Sequence, residues 1–310
     1  MGRPVMRRVR KLRRRGALRE AVATIRRARG ARLVLVYHRI APRDAPRDEI
    51  VPTVPADLFR EQLTTFAELG RFVPLDSLIA DPGDREGPLR FALTFDDDYD
   101  THARYVLPVL RDLGLPATFF LSGRSLHGLG GYWFQRLEAL VDERGVAATA
   151  ALLDVPDVDH EVHLARACEG DPSRQGLIDR YAPAGDPPLD AAGIRLLAEA
   201  GMTIGFHTLR HPVLPLLDDA EATTALTVGK DRLAALVEQP LRWFAYPHGK
   251  TDERITTLTR QAGYTAALTT QLRLLHAADD HHQLGRWEPS PMPTHEVVIR
   301  LGHVLQHAMA

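Results

Sequence analysis

A short apolar run ending in three adjacent carboxylates, Phe91-Ala-Leu-Thr-Phe-Asp-Asp-Asp98, constrains this chain more than any other stretch. Apolar and β-branched residues followed by an abrupt polar break predict a buried strand reaching its C-terminal end. In parallel α/β folds that end is where ligands and chemistry sit. Asp96, Asp97 and Asp98 repel one another there, and a metal ion is the usual group that offsets such repulsion.

The rhythm around this run sets the fold class. Strand character recurs at 33–38, 91–95, 116–121, 202–206, 243–246 and 264–268, with 284–287 as a candidate last strand. Helical spacing of apolar residues marks 56–69, 101–113, 190–200, 218–238, 252–262 and 294–309. Strands alternating with helices predict an α/β fold with a parallel sheet or barrel. Residues 123–188 interrupt the alternation. A helix over 132–143 and shorter helical stretches separated by prolines predict a helical insertion, with a core too small to stand alone.

Composition narrows the function classes. The 310 residues, 45% of them apolar, suit a globular α/β protein. The net charge of -1 hides an asymmetry: residues 1–32 carry thirteen Lys/Arg and one acid, leaving 26 bases against 39 acids in the rest. The basic arm, residues 1–30, places Val5, Val9 and Leu12, then Leu18, Val22 and Ile25, at helical spacing. It reads either as a helix lying on an anionic membrane surface or acidic partner, or as a solvated tail. Nucleic acid is the weaker partner, because the arm holds no aromatic residue for stacking. Cys168 is the single cysteine, which excludes an internal disulfide and a cysteine-based metal site. No apolar run reaches the roughly 18–20 residues of a membrane span, and the N-terminus lacks the apolar core of a signal peptide. The expected location is cytoplasmic, with the inner membrane surface as the alternative.

The partners of the carboxylates lie far downstream. His207-Thr-Leu-Arg-His211 follows a predicted strand and supplies two histidines four apart. Such a pair alone is a weak signal. Joined to a carboxylate at a neighbouring strand end, it makes a two-histidine, one-carboxylate site with an open position, suited to zinc or a similar divalent ion.

Together these residues resemble the polysaccharide deacetylase family, the NodB-homology carbohydrate esterases (family 4). Thr94-Phe-Asp-Asp-Asp98 resembles the first motif of that family, His207-Thr-Leu-Arg-His211 the second, and Phe244-Ala-Tyr-Pro-His-Gly249 the third. The resemblance covers most of 33–121 and 200–287. It implies a distorted (β/α)7-like barrel over 31–310, interrupted by the insertion at 123–188. It also implies one divalent ion, zinc first with cobalt, nickel or manganese as alternatives, and hydrolysis of an N-acyl group on a saccharide or glycan precursor.

Carried over residue by residue, the family pattern makes Asp96 the catalytic base and Asp97, His207 and His211 the metal ligands. Adjacent side chains at a strand end point in different directions, which agrees with that division. The proton-donating acid is a C-terminal histidine in many members, and no matching strand is present here. Some members are circularly permuted and carry this histidine in an N-terminal Tyr-His pair. Tyr37-His38 matches that arrangement, and the first and last strands of a closed barrel are neighbours. His248 stands at the third-motif position whose main chain would help hold the oxyanion, and Tyr246 either orients the site or packs. Two departures stand out. Asp98 replaces the usual glycine and reads most simply as a solvated turn residue. Ala245 replaces an arginine that pairs with the base in many members; Arg286 is the candidate substitute, against the reading of a surface arginine. Trp133, in Tyr132-Trp-Phe134, is the candidate sugar-stacking residue of the insertion.

The expected activity is metal-dependent removal of an N-acyl group, most simply N-acetyl, from a saccharide. Deformylation or O-deacetylation on the same machinery stays open. So does a carbohydrate-binding relative without catalysis, which the two departures and the displaced acid would favour.

Overall fold

The computed structural model describes residues 3–44, 50–80, 86–182, 187–289 and 291–309, with the main chain alone for 3–14 and 308–309. The strands are β1 (Arg32–Tyr37), β2 (Ile40–Ala41), β3 (Val54–Pro55), β4 (Arg71–Phe72), β5 (Arg90–Asp96), β6 (Thr118–Leu121), β7 (Thr203–Phe206), β8 (Trp243–Ala245) and β9 (Ala266–Leu268). The main sheet has the order β1-β5-β6-β7-β8-β9, with β4 also paired to β5, and every pairing is parallel. Parallel neighbours need crossovers, and helices supply them.

Side-chain alternation sorts this sheet into two layers. Leu33, Phe91, Phe119, Ile204 and Phe244 join the helix layer, packed with Phe59, Phe66, Ile194 and Ile255. Val34, Ala92, Phe120, Ala245 and Ala266 form a separate inner cluster. The inner residues are mostly small because the sheet curls tightly round them. Gly205 belongs to the same face. A Cβ there would sit 2.6 Å from the Phe120 ring and 2.9 Å from the Trp243 carbonyl oxygen, so only glycine fits. Thr94 and Asp96 continue the inner face from Ala92, which aims Asp96 into the mouth of the curl.

The predicted last strand at 284–287 is realised as a seam. Trp287 N–H donates to Val34 at 2.8 Å and Val36 N–H to Trp287 at 3.0 Å, while Leu284 N–H donates to Ala267 at 3.0 Å. These bonds carry the segment from β9 to β1 and draw the two edges together.

Two helix expectations are corrected. The single helix expected over 218–238 is two, Asp219–Thr227 and Lys230–Val237. Gly229 has φ 92°, a left-handed conformation that ends one helix and starts the next. The helix expected over 101–113 opens with a π turn at His102–Val106 before its α-helical part, Leu107–Leu113.

The basic arm is helical over Arg3–Arg27. Ala21, Ile25 and Ala28 are buried in the main core. A Cβ at Gly302 of the C-terminal helix Thr294–Met309 would lie 2.7 Å from the Ala21 Cα, so the two helices cross in close contact. The apolar positions Leu18, Val22 and Ile25 therefore face the body of the protein and not a lipid surface. Val5, Val9 and Leu12 lie outside the described side chains. Among the described residues, no helix is long and apolar enough to cross a membrane.

Between β6 and β7 lie the helices Trp133–Arg144, Val146–Leu152, Glu161–Cys168 and Pro172–Tyr181. Their apolar residues form a cluster distinct from the main core, completed by Tyr99 from the loop after β5 and by Ile50 and Val51.

Candidate active site

The site gathers at the C-terminal ends of β1, β5, β7 and β8. Asp97, directly after β5, has φ 68°. Thr208 and His211 after β7 have φ 59° and 54°, and His248 after β8 has φ 58°. Non-glycine residues rarely adopt this left-handed region, and such strain concentrates where structure serves chemistry. The tight turn after β7, closed by the His211 N–H donating to Thr208 Oγ1 at 3.1 Å, folds both imidazoles toward the same carboxylate.

His207 Nε2 and His211 Nε2 lie 3.6 and 3.7 Å from Asp97 Oδ1. His207 Nδ1–H donates to the Ala245 carbonyl at 2.8 Å, which leaves the Nε2 lone pair turned to the carboxylate. All three residues are buried, and Asp97 Oδ1 has no hydrogen-bond partner among the described residues. Burial, with Asp96 and Asp98 adding to it and His38 and Arg124 opposing, pushes the Asp97 carboxyl up to about 7. Burial lowers His207 to about 4 and drives His211 well below the ordinary imidazole value, so both rings are neutral. An orphaned buried carboxylate oxygen beside two neutral imidazoles is the donor set of a divalent ion. A tetrahedral ion with bonds of about 2.1 Å needs its ligand atoms roughly 3.4 Å apart, close to the spacing present.

Asp96 faces a different partner. Arg286 Nη1 and Nη2 donate to its two carboxylate oxygens at 2.6 Å each, a bidentate pair. Arg286 is 1% exposed, and its Nε donates to the Thr269 carbonyl at 2.9 Å. The surface reading of Arg286 is thus wrong: the seam 284–287 carries it into the interior that Ala92 and Ala245 leave open. Burial alone would raise Asp96, but Arg286 and then His207 hold it down to about 2.

His38 directly follows β1, with its Nε2 4.0 Å from Asp96 Oδ2. Its Nδ1 lies 3.0 Å from Glu288 Oε1. Burial opposes charge on this ring, yet Glu288, with Asp96 and Asp97 behind it, raises its pKa to about 9. Buried His102, on the first turn of the π segment, places its Nε2 3.0 Å from the His38 carbonyl oxygen and so fixes the main chain beneath the ring.

The solvated-turn reading of Asp98 is also corrected. Asp98 is 2% exposed and accepts from Ser122 N–H at 2.8 Å, Ser122 Oγ–H at 2.5 Å and Arg124 N–H at 3.1 Å. The Arg124 guanidinium reaches the Gly131 carbonyl at 3.1 Å and stacks 3.8 Å over the Tyr132 ring, which in turn packs edge-on against His211 at 5.3 Å. Asp98 thus ties the turn that carries Asp97 to the start of the helical segment. Asp98→Ala removes three bonds to one buried carboxylate and is expected to cost about 3 kcal/mol in denaturant-induced unfolding.

The remaining candidates fall into two sets. Trp133 and His248 line the cleft above Asp97, as does Tyr246, whose hydroxyl donates to the His282 carbonyl at 2.9 Å. Trp133 is 8% exposed, and its indole N–H has no partner among the described residues. Gly249 lets the third-motif turn approach β9, since a Cβ there would lie 2.6 Å from the Thr270 nitrogen. Glu169 carries no sequence signal as a site residue. Glu169 lies 3.3 Å from His248 Nδ1 and 2.5 Å from Lys250 Nζ. For Glu288 the usable clue was its place two residues after Arg286 on the closing segment.

No curated protein matches the chain. IcaB from Ammonifex degensii is similar in fold, with a TM-score of 0.60 and 20% identity over 88% of this chain and 97% of that one. A Streptococcus pyogenes deacetylase, PplD, solved with acetate, gives 0.59 and 19% over 87% and 97%. A de-N-acetylase from Aggregatibacter actinomycetemcomitans gives 0.59 and 15% over 87% and 99%. At these identities the likeness establishes the NodB-type barrel-like fold. The family model for polysaccharide deacetylase matches residues 84–267, more than half of the chain, and takes in Asp96, Asp97, His207, His211 and His248. His38, Arg286 and Glu288 lie outside that match; His38 joins it through the pairing of β1 with β5, and Arg286 and Glu288 through the closing seam. With its motifs, its fold and the matched span in agreement, the chain belongs to the polysaccharide deacetylase family and is a carbohydrate deacetylase.

Proposed function

We propose that the protein hydrolyses the N-acetyl group of a saccharide with the help of one divalent ion held by Asp97, His207 and His211. The observation that carries this is the separation of two carboxylates one residue apart: Asp97 faces the imidazoles while Asp96 faces Arg286 and His38. Two nitrogens and one oxygen at tetrahedral spacing favour zinc over magnesium or calcium. When bound, the ion supplies Lewis-acid polarisation of the acyl oxygen and a lower pKa for the attacking water.

This chain's own residues do the rest. Asp96 orients the water and takes its proton as the oxygen bonds to the acyl carbon. A carboxylate held at about 2 is a weak base, so the proton passes on to His38 Nε2, 4.0 Å away, once that ring has given its own to the leaving nitrogen. His38 Nε2, on the open side of Asp96, delivers a proton to the nitrogen as the carbon–nitrogen bond breaks. Acetate and a free amine result. The His248 N–H serves the developing oxyanion.

The acid must be protonated before each turnover. His38 at about 9 meets this at neutral pH, and its proton is lost as pH rises through that value. Glu288→Gln removes the main electrostatic support for that proton. The alkaline limb of the kcat/KM profile is expected to move down from about 9 toward the ordinary 6.5, with metal content unchanged. An unmoved limb would remove His38 as the acid.

The first turns of the helix Arg3–Arg27 are rich in arginine, which supports residence at an anionic membrane surface on the cytoplasmic side. Truncation to residue 15 keeps the part that packs on the body. It is expected to abolish co-sedimentation with anionic liposomes at low salt without changing turnover of a soluble saccharide. Co-sedimentation equal to that of the full chain would end this assignment.

A further inference from the structure

The two imidazoles of the proposed ion site are held in different ways. His207 is fixed by a hydrogen bond, its Nδ1–H donating to the Ala245 carbonyl at 2.8 Å. His211 Nδ1 is buried and has no hydrogen-bond partner among the described residues. A metal-binding histidine almost always uses its second nitrogen to bond an acceptor that fixes the ring. Something else must set the tilt of His211, and aromatic rings pack closely around it. Tyr132 and Phe134 meet it edge-on at 5.3 and 5.4 Å, with interplanar angles of 63° and 66°. These two rings are themselves stacked, 5.2 Å apart and 11° from parallel, so they act on His211 as one wall. His248 adds a third ring at 4.4 Å and 67°.

The wall belongs to the helical segment between β6 and β7. Tyr132 and Phe134 flank the first residue of the helix Trp133–Arg144, and the Tyr132 N–H donates to Gln135 Oε1 at 2.7 Å. The Arg124 guanidinium lies 3.8 Å over the Tyr132 ring, and the Arg124 N–H donates to Asp98, the neighbour of Asp97, at 3.1 Å. Glu169, later in the same segment, lies 3.3 Å from His248 Nδ1. Edge-to-face contacts favour a defined tilt between rings and need no polar atom to do so. We infer that Tyr132 and Phe134 are positioning residues: their aromatic wall orients His211 in place of a hydrogen bond, and the helical segment thereby sets how tightly the site holds its ion. This rests on the reading of Asp97, His207 and His211 as the ion site. The coupling runs both ways, so an ion that fixes His211 also steadies the segment that carries the wall.

The test measures zinc affinity of the full chain by competition with a chelator. Wild type is compared with Tyr132→Leu, Phe134→Leu, Tyr132→Phe and Leu137→Ala. Leu137 is buried in the same apolar cluster of the segment and is not one of the rings around His211. The two leucine variants are each expected to weaken zinc binding roughly 10–100-fold, the usual effect of losing a group that orients a ligand. Tyr132→Phe keeps the ring and should bind zinc as the wild type does. Leu137→Ala should lower the melting temperature and leave zinc affinity unchanged. In the wild type, zinc should slow amide hydrogen exchange over Trp133–Arg144 more than over the distant helix Thr294–Met309. Unchanged affinity in both leucine variants, or equal weakening by Leu137→Ala, would overturn the inference and leave the ion site standing. Where a leucine variant does not fold, the exchange comparison decides, and equal slowing in the two helices would overturn the inference. A wild-type chain that binds no zinc would remove the ion site and this inference with it.

Discussion

His207→Ala is expected to abolish zinc binding and deacetylation together. The substitution removes one of the three atoms proposed to hold the ion, and the buried Asp97 carboxylate and His211 ring remain without a third partner. Activity should fall to background, and metal analysis after dialysis should show less than one ion per chain. The wild-type protein also makes a linked expectation about stability. A carboxyl whose folded pKa is raised binds more protons when folded than unfolded, so the metal-free protein loses stability as pH rises. For Asp97 the window runs from the ordinary 3.8 to about 7. A bound cation reverses the sign by favouring the ionised form. The difference in melting temperature between metal-loaded and chelator-treated protein should therefore widen as pH rises through that window. At free zinc a hundredfold above Kd, it should correspond to about 2.7 kcal/mol. His207→Ala should show no such difference at any pH.

The second large effect concerns Asp96 and Arg286. Asp96→Asn keeps the shape of the carboxylate and removes its charge. Turnover should drop by roughly 10²–10⁴-fold, the usual worth of a positioned base, while zinc stays bound. Stability should drop as well, because the guanidinium remains buried at 1% exposure without its counter-charge. Breaking a buried pair by removing one partner costs about 3–5 kcal/mol. Arg286→Met should cost a similar amount for the reciprocal reason. The double variant is expected to recover part of the stability lost in each single variant and none of the turnover, a coupling that a double-mutant cycle measures directly. If the two stability losses simply add, the bidentate pair is not the structural unit described here.

The pair also bears on whether catalysis has been lost. Three sequence features favoured an inactive relative: Ala245 in place of an arginine, Asp98 in place of glycine, and no C-terminal histidine strand. Arg286 reaches the carboxylate from the seam, Asp98 is absorbed into a closed hydrogen-bond cluster, and His38 lies beside Asp96 on the neighbouring strand. Each departure has a structural counterpart within the same site.

Legibility followed the range of the interaction. The strand Arg90–Asp96 and its carboxylates were readable because a short apolar run broken by adjacent carboxylates is a local signal. The histidine pair was readable because a five-residue turn carries both rings. Asp98 was misread as solvated because its partners Ser122 and Arg124 come from the end of the next strand, and a sequence does not show which loop lies over which. Arg286, Glu288 and Glu169 were faint or invisible for the same reason. They are single charged residues on irregular segments, and only the closure of the sheet and the fold of the helical segment give them partners. The break at Gly229 was local yet overlooked: Thr227-Val228-Gly229 combines β-branched residues with a glycine, each a poor helix former.

The most direct test is a paired assay on zinc-loaded protein with short N-acetylated saccharides, counting acetate and free amine together. The wild-type chain should release both in equal amounts, and Asp96→Asn should release both roughly 10²–10⁴-fold more slowly while retaining one zinc per chain. A folded, zinc-bound wild-type protein that frees no acetate, or an Asp96→Asn variant that turns over at the wild-type rate, would contradict the account.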